Sequence, residues 1–146
     1  MPTKKRVTEE EAAKTCLCCK SRMAARALTR AYDRALRSTG LRITQFTILV
    51  AASVAGGVPL GRLADILGLE RTTLTRNLSV LERDCLIRLT NVDGRTRNVL
   101  ITSAGAARLS AALPLWNRAQ QRVRQKFGPE KWETLQDDLT KLVQSA

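Results

Sequence analysis

Residues 59–102 read PLGRLADILGLERTTLTRNLSVLERDCLIRLTNVDGRTRNVLIT, and the order of patterns within them decides the fold. Pro59 suits the first turn of a helix, where its missing N–H is not needed. Leu60, Leu63, Ala64 and Leu67 then recur at helical spacing until Gly68 stops the segment. Ala64 is small enough to let a second helix cross closely, and Leu69 is expected in the angle between the two. The second helix is expected from about Glu70 to Asp84, with Leu74, Leu78 and Leu81 forming its apolar stripe.

At about 100° per residue, Thr72, Arg76, Ser79 and Arg83 fall on the face opposite that stripe, flanked by Thr73 and Thr75. This face holds hydroxyls and guanidinia but no carboxylate. Such a strip suits a groove lined by phosphates, where arginine can bond bidentately to guanine and threonine can meet a phosphate, a base edge or a thymine methyl. An ordinary solvated helix face fits the same residues. The segments that follow favour the groove. Cys85 to Leu89 is short and apolar, Asn91 to Arg97 is polar around Asp93 and Gly94, and Val99 to Ile101 is apolar. That is a hairpin pattern. Arg95 and Arg97 are expected on one side near its tip, within reach of a phosphate or a minor groove. Val99 and Ile101 share their parity, so that side must turn from solvent to core along the ribbon. Helix, turn, helix and a basic hairpin in this order make a winged helix-turn-helix.

The helix pair ADILGLERTTLTRNLSVLERDCLI, the Asp93, Gly94, Arg95 wing and the closing NVLITSAG resemble the MarR family of bacterial transcriptional regulators. The resemblance extends over nearly the whole chain. It implies a mainly α chain with a small β-wing (α+β): a winged module over residues 42–102, dimerisation helices at 15–40 and 103–146, and a mobile segment at 1–14. It further implies Thr72, Thr73, Thr75 and Arg76 in the major groove and Arg95 at the minor groove, with Asp93 holding the arginine. The expected partners are double-stranded DNA, a second copy of the chain, and a small-molecule effector or oxidant that releases a repressor from a palindromic operator. No cofactor is expected.

The chain has 146 residues, enough for one domain, and 44% apolar content supplies one core. Its net charge of +12, from 25 basic and 13 acidic residues, points to a polyanionic partner. That charge lies mostly outside the winged segment, since residues 1–42 carry +7 and residues 62–97 only +2. The N-terminal excess fits either flanking phosphates or a solvated helix surface. Aromatic residues make up 3% and none interleaves with the basic strip, which argues against single-strand binding by stacking. No apolar run approaches the roughly 20 residues that span a bilayer, and the start MPTKKR leads into TEEEAAK rather than an apolar core. A cytoplasmic protein without a membrane partner is expected.

Outside the winged segment, Leu17 to Leu36 carries a helical stripe of Leu17, Ala24, Leu28, Ala31 and Ala35 with Tyr32 beside it. Thr44 is placed to cap a buried helix from Gln45 to Ala55. After Thr102 a long helix is expected to kink at Pro114, and a last helix opens at Pro129 with Trp132, Leu135, Leu139 and Leu142 on one face. Those apolar faces need a partner, and two-fold pairing matches palindromic operators.

Three of the four cysteines, Cys16, Cys18 and Cys19, cluster where the first long helix begins, beside Lys14, Lys20 and Arg22. A basic setting at a helix N-terminus favours reaction with oxidants, so these are candidate redox-sensing residues. A soft-metal site shared across a dimer and an inert cluster are the competing readings. Within the resembling family, hydroperoxide sensors carry a cysteine at the place of Cys18 and a tyrosine at that of Tyr32, but Arg22 stands where a second tyrosine would be. Cys85 is expected to be a small buried core residue. An enzyme finds no support: the chain has no histidine, no Gly-rich phosphate loop and no nucleophile elbow. A nonspecific basic architectural protein and a thiol-based redox protein are the remaining alternatives.

Overall fold

The computed structural model describes residues 6–146; the basic start at 1–5 lies outside the described residues. Seven helices and three short strands follow in the order α1 (Glu9–Thr15), α2 (Leu17–Leu36), a 3-10 turn (Arg37–Thr39), α3 (Ile43–Ala55), β1 (Val58–Pro59), α4 (Leu60–Leu67), α5 (Arg71–Arg83), β2 (Ile87–Asn91), β3 (Arg97–Ile101), α6 (Ser103–Phe127) and α7 (Pro129–Ser145). This is the expected α+β winged helix-turn-helix with flanking helices.

The core gathers side chains from α2 through α6 and the sheet around the helix-turn-helix, and none from α1 or α7 is buried. Leu36, Ile48, Leu49, Leu63, Leu74, Leu78, Leu81 and Val99 are fully enclosed, each contributing about 1.5–3 kcal/mol of apolar burial. The stripe Leu74, Leu78, Leu81 is thus the inner face of α5, and Leu63 with Ala64 the inner face of α4. Gly68 ends α4 in the left-handed region at φ 60°, and Leu69 donates its N–H to the Ala64 carbonyl at 3.0 Å, closing the tight turn. Leu69 packs against the core in the angle between the helices.

A third strand joins the hairpin. β1 pairs antiparallel with β3 through Val58 and Val99, giving the sheet order β1-β3-β2. Pro59 closes that strand and stands as N-cap of α4 instead of in its first turn; at the end of an edge strand its missing N–H costs no ladder bond.

Local chemistry corrects two expectations, the cap of α3 and the burial of Cys85. Thr44 does not cap α3 but lies within it, because Asp33 on α2 reaches across: its Oδ1 accepts from the Ile43 N–H at 2.7 Å, and Gln45 Oε1 accepts from the Arg42 N–H at 3.0 Å. Pro114 lies inside α6, which continues as one helix from Ser103 to Phe127. Thr8 and Glu11 form a capping box that starts α1, none of whose residues is buried. Cys85 is exposed, not buried, and takes φ 59°, alone among the described non-glycine residues in having a positive φ. The chain must reverse between α5 and β2 there, so the adjacent Leu86 and Ile87 fill the core instead.

The junction between the wing and α6 is pinned by Thr102. Its N–H donates to the Leu86 carbonyl at 3.1 Å, its hydroxyl donates to the Cys85 carbonyl at 2.7 Å, and the same oxygen accepts from the Gly105 N–H at 3.0 Å. Gly105 packs so closely that a Cβ there would sit 2.0 Å from the Leu86 oxygen. From this junction α6 returns along α2, where Tyr32 donates to Gln120 Oε1, and Phe46 of α3 stacks on Trp116 at a centroid distance of 5.9 Å. Beyond the core, Leu17, Met23 and Leu28 of α2, Leu113 and Phe127 of α6, and Leu139 and Val143 of α7 remain exposed. None of the described helices is long and apolar enough to cross a membrane.

Candidate nucleic-acid interface

The residues singled out in the sequence fall on two surfaces: the outer face of α5 and the tip of the β2–β3 hairpin. On α5, Thr72, Thr75, Arg76 and Ser79 are exposed and Thr73 is half-buried. The face is carboxylate-free between its two ends, Glu70 at the N-cap and Glu82 in the last turn. Its hydroxyls are partly committed. Thr75 donates to the Arg71 carbonyl at 2.8 Å and Ser79 to the Thr75 carbonyl at 2.9 Å, so each offers lone pairs, and Thr75 a methyl, in place of a free O–H. The Asn77 amide, half-buried, likewise donates to the Thr73 carbonyl at 2.9 Å. Arg76 has no ion pair or hydrogen-bond partner among the described residues, which leaves its planar five-donor fork free.

The hairpin tip is built by Asp93. Its Oδ1 accepts from the backbone N–H groups of Arg95 at 3.0 Å and Thr96 at 2.7 Å, and Oδ2 accepts from the Thr96 hydroxyl at 3.1 Å. Those three donors hold the carboxyl below the usual aspartate range even though it is fully exposed. Gly94 supplies the left-handed residue of the turn at φ 79°, and the Val92 N–H closes it onto the Thr96 carbonyl at 2.9 Å. Asp93 therefore holds the backbone that carries Arg95, and leaves the guanidinium unpaired among the described residues.

Arg95 lies in the turn, beyond the ladder that ends at the Asn91–Arg97 pair, so strand alternation does not set its side. Arg97 is exposed while Val99, two residues on, is fully enclosed, so the ribbon turns from solvent to core within one pleat. The sequence passed over Arg71. It is exposed at the first position of α5, with a guanidinium nitrogen 3.5 Å from where a Gly61 Cβ would stand, so it lies across the start of α4. Its position at a helix boundary is what hid it.

The crystal structure of the M. tuberculosis transcriptional regulator MosR shares 41% of its residues with this chain over 90% of this chain and 95% of that one, with a TM-score of 0.80. The chain belongs to the MarR family of transcriptional regulators. MosR in complex with DNA matches at 42% identity, covering 89% of this chain and 95% of that chain at a TM-score of 0.81. A cysteine-to-serine mutant of MarR from E. coli, complexed with operator DNA, has the same fold at a TM-score of 0.80, 20% identity and coverage of 92% and 99%. No family model and no curated protein matches the sequence. As a member of the MarR family the chain is a transcriptional regulator and not an enzyme.

In this MarR-family chain the N-terminal thiols lie apart from the winged module. Cys16 forms the break between α1 and α2 with ψ 107°, and Cys16, Cys18 and Cys19 are all exposed. Arg22, which occupies the place of a tyrosine in the hydroperoxide sensors, points one guanidinium nitrogen at Cys18 Sγ, 3.5 Å away. Tyr32 is committed within the chain to Gln120, and its burial raises the phenol above its ordinary value. Among the described residues no group of three or more Cys, Asp and Glu is arranged to hold a metal ion.

Proposed function

We propose that the chain acts as a homodimeric, sequence-specific repressor on a palindromic double-stranded operator. The observation that carries this reading is the exposed outer face of α5, free of carboxylates between its ends and with Arg76 unpaired among the described residues, together with an arginine-tipped wing. Thr72, Thr73, Thr75, Arg76 and Ser79 face the major groove, and Arg95 and Arg97 meet the minor groove or its phosphates, with Asp93 shaping the turn that presents them. The likeness to MosR in complex with DNA supports the same reading. Helices at 15–40 and 103–146 form the dimer, because α2, α6 and α7 leave large apolar side chains uncovered within the single chain. The protein works in the cytoplasm, where DNA is within reach.

The experiment is Arg76→Ala titrated against the operator and against a shuffled duplex. A base-reading arginine loses roughly 1–3 kcal/mol on the operator alone. An equal loss on both duplexes demotes Arg76 to a phosphate contact, and a wild-type chain blind to sequence returns the protein to the architectural reading.

For release, Cys18 with its guanidinium neighbour supports oxidant sensing. A hydroperoxide takes the thiol to a sulfenic acid and leaves as the alcohol; a neighbouring thiol then condenses with it, giving a disulfide and water. Peroxide treatment with free-thiol counting should lower operator affinity in step with thiol loss. Full oxidation with unchanged binding removes the sensory role.

A further inference from the structure

Four arginines, Arg30, Arg34, Arg37 and Arg42, surround a concavity of ≈ 480 Å³ where α2 turns through its 3-10 extension into α3. One carboxylate, Asp33, lines it, and both its oxygens are already used: Oδ1 caps Ile43 at 2.7 Å and Oδ2 meets Arg42 Nη1 at 3.5 Å. Among the described residues Arg30, Arg34 and Arg37 have neither an ion pair nor a hydrogen-bond partner, and all three are exposed. Upstream, Arg22, Arg26, Arg30 and Arg34 follow at intervals of four along α2, a like-charged ridge that opposes the helix it sits on. A bound anion would offset that repulsion.

We propose that this concavity binds a small phosphate, inorganic phosphate or a phosphate monoester. Guanidinium forks match the paired oxygens of a phosphoryl group, and three free forks exceed what a single carboxylate needs. The lining has no aromatic side chain, and Leu41 is its only large apolar residue, so nothing is provided for a flat ring or a long tail. Backbone phosphates of duplex DNA carry the same chemistry, and a titration without DNA set beside operator binding separates the two sources. The ridge from Arg22 to Arg34 raises the local anion concentration at its mouth. An occupant would bridge α2 to Arg42 at the start of α3, and so touch the joint between the flanking helices and the winged module.

Titration calorimetry of the full chain with inorganic phosphate, in chloride buffer at constant ionic strength and without DNA, tests this. One phosphate per chain should bind, Arg34→Gln with Arg37→Gln should weaken it by roughly tenfold for each guanidinium removed, and Arg95→Gln in the wing should bind it as the wild type does. The double variant should melt no lower than the wild type and should keep its operator affinity. No heat beyond the chloride control, or unchanged binding in the double variant, overturns the site. A double variant that instead loses affinity equally for operator and shuffled duplex, with a shallower salt dependence, assigns these arginines to the DNA backbone and overturns it as well. Should the double variant fold poorly, a rise in the wild-type melting temperature with phosphate over matched chloride decides the point, and no rise rejects it.

Discussion

At the scale of single residues, three positions carry more than their side chains suggest. Gly105 is required because the first turn of α6 abuts the Leu86 carbonyl, and a Cβ would come within 2.0 Å of it. Gly105→Ala should therefore lower stability by about 1–3 kcal/mol, read as a shifted denaturant midpoint, through overpacking against backbone that cannot move aside. Cys85 sits in the left-handed region at φ 59°, where a side chain costs about 1–2 kcal/mol. Cys85→Gly should raise stability by about 0.5–1 kcal/mol once the extra freedom of glycine in the unfolded chain is set against that gain. A loss would show that the thiol makes a contact worth more than the strain. Asp93 contributes through charge. Its folded carboxyl lies below the unfolded value, because Thr96 and Arg95 donate to it, so its contribution is present above the unfolded value near pH 3.9. It is lost as pH falls through the lower, folded one. Amide exchange at Arg95 and Thr96 should speed up across that acid window, and Asp93→Ala should loosen the wing at neutral pH while leaving the melting temperature nearly unchanged.

At the scale of elements, what was legible in the sequence was whatever a short repeat encodes. The stripe of α5, the stop at Gly68 and the hairpin around Asp93 and Gly94 follow from spacing and turn chemistry alone, and all three are found. What stayed hidden depended on residues distant in sequence. β1 has two residues and no pattern of its own, and it exists because Val58 meets Val99. The start of α3 looked like a threonine cap but is held by Asp33 from the preceding helix. Of the candidate site, the exposure of Thr72, Thr75, Arg76 and Ser79 on the outer face of α5 was legible. The bonds of Thr75 and Ser79 to their own helix were not, since they depend on rotamers. Element packing sets its own prediction: Leu74, fully enclosed where α5 meets the core, should cost about 2–5 kcal/mol on Leu74→Ala. Operator binding should be lost with folding and not before it.

At the scale of the whole molecule, net charge and binding surface separate. The chain carries +12, yet residues 62–97 contribute only +2, so recognition rests on where a few guanidinia stand. Much of the rest lies on α2 and the turn into α3, where Arg30, Arg34, Arg37 and Arg42 line the concavity proposed to take phosphate. The proposed dimer rests on the apolar side chains those helices leave exposed. Leu139→Glu, on an exposed face of α7, should convert a dimer to monomers by sedimentation without loss of helix content, and should weaken binding to a two-half-site duplex far more than to a single half-site. The central claim, sequence-specific recognition by the α5 face of a dimer, is tested most directly by the affinity of the wild-type chain for its palindrome and for a shuffled duplex of equal length at one salt concentration. Two chains per palindrome and an affinity at least about a thousandfold above the shuffled duplex are predicted; equal affinity for the two would contradict the account.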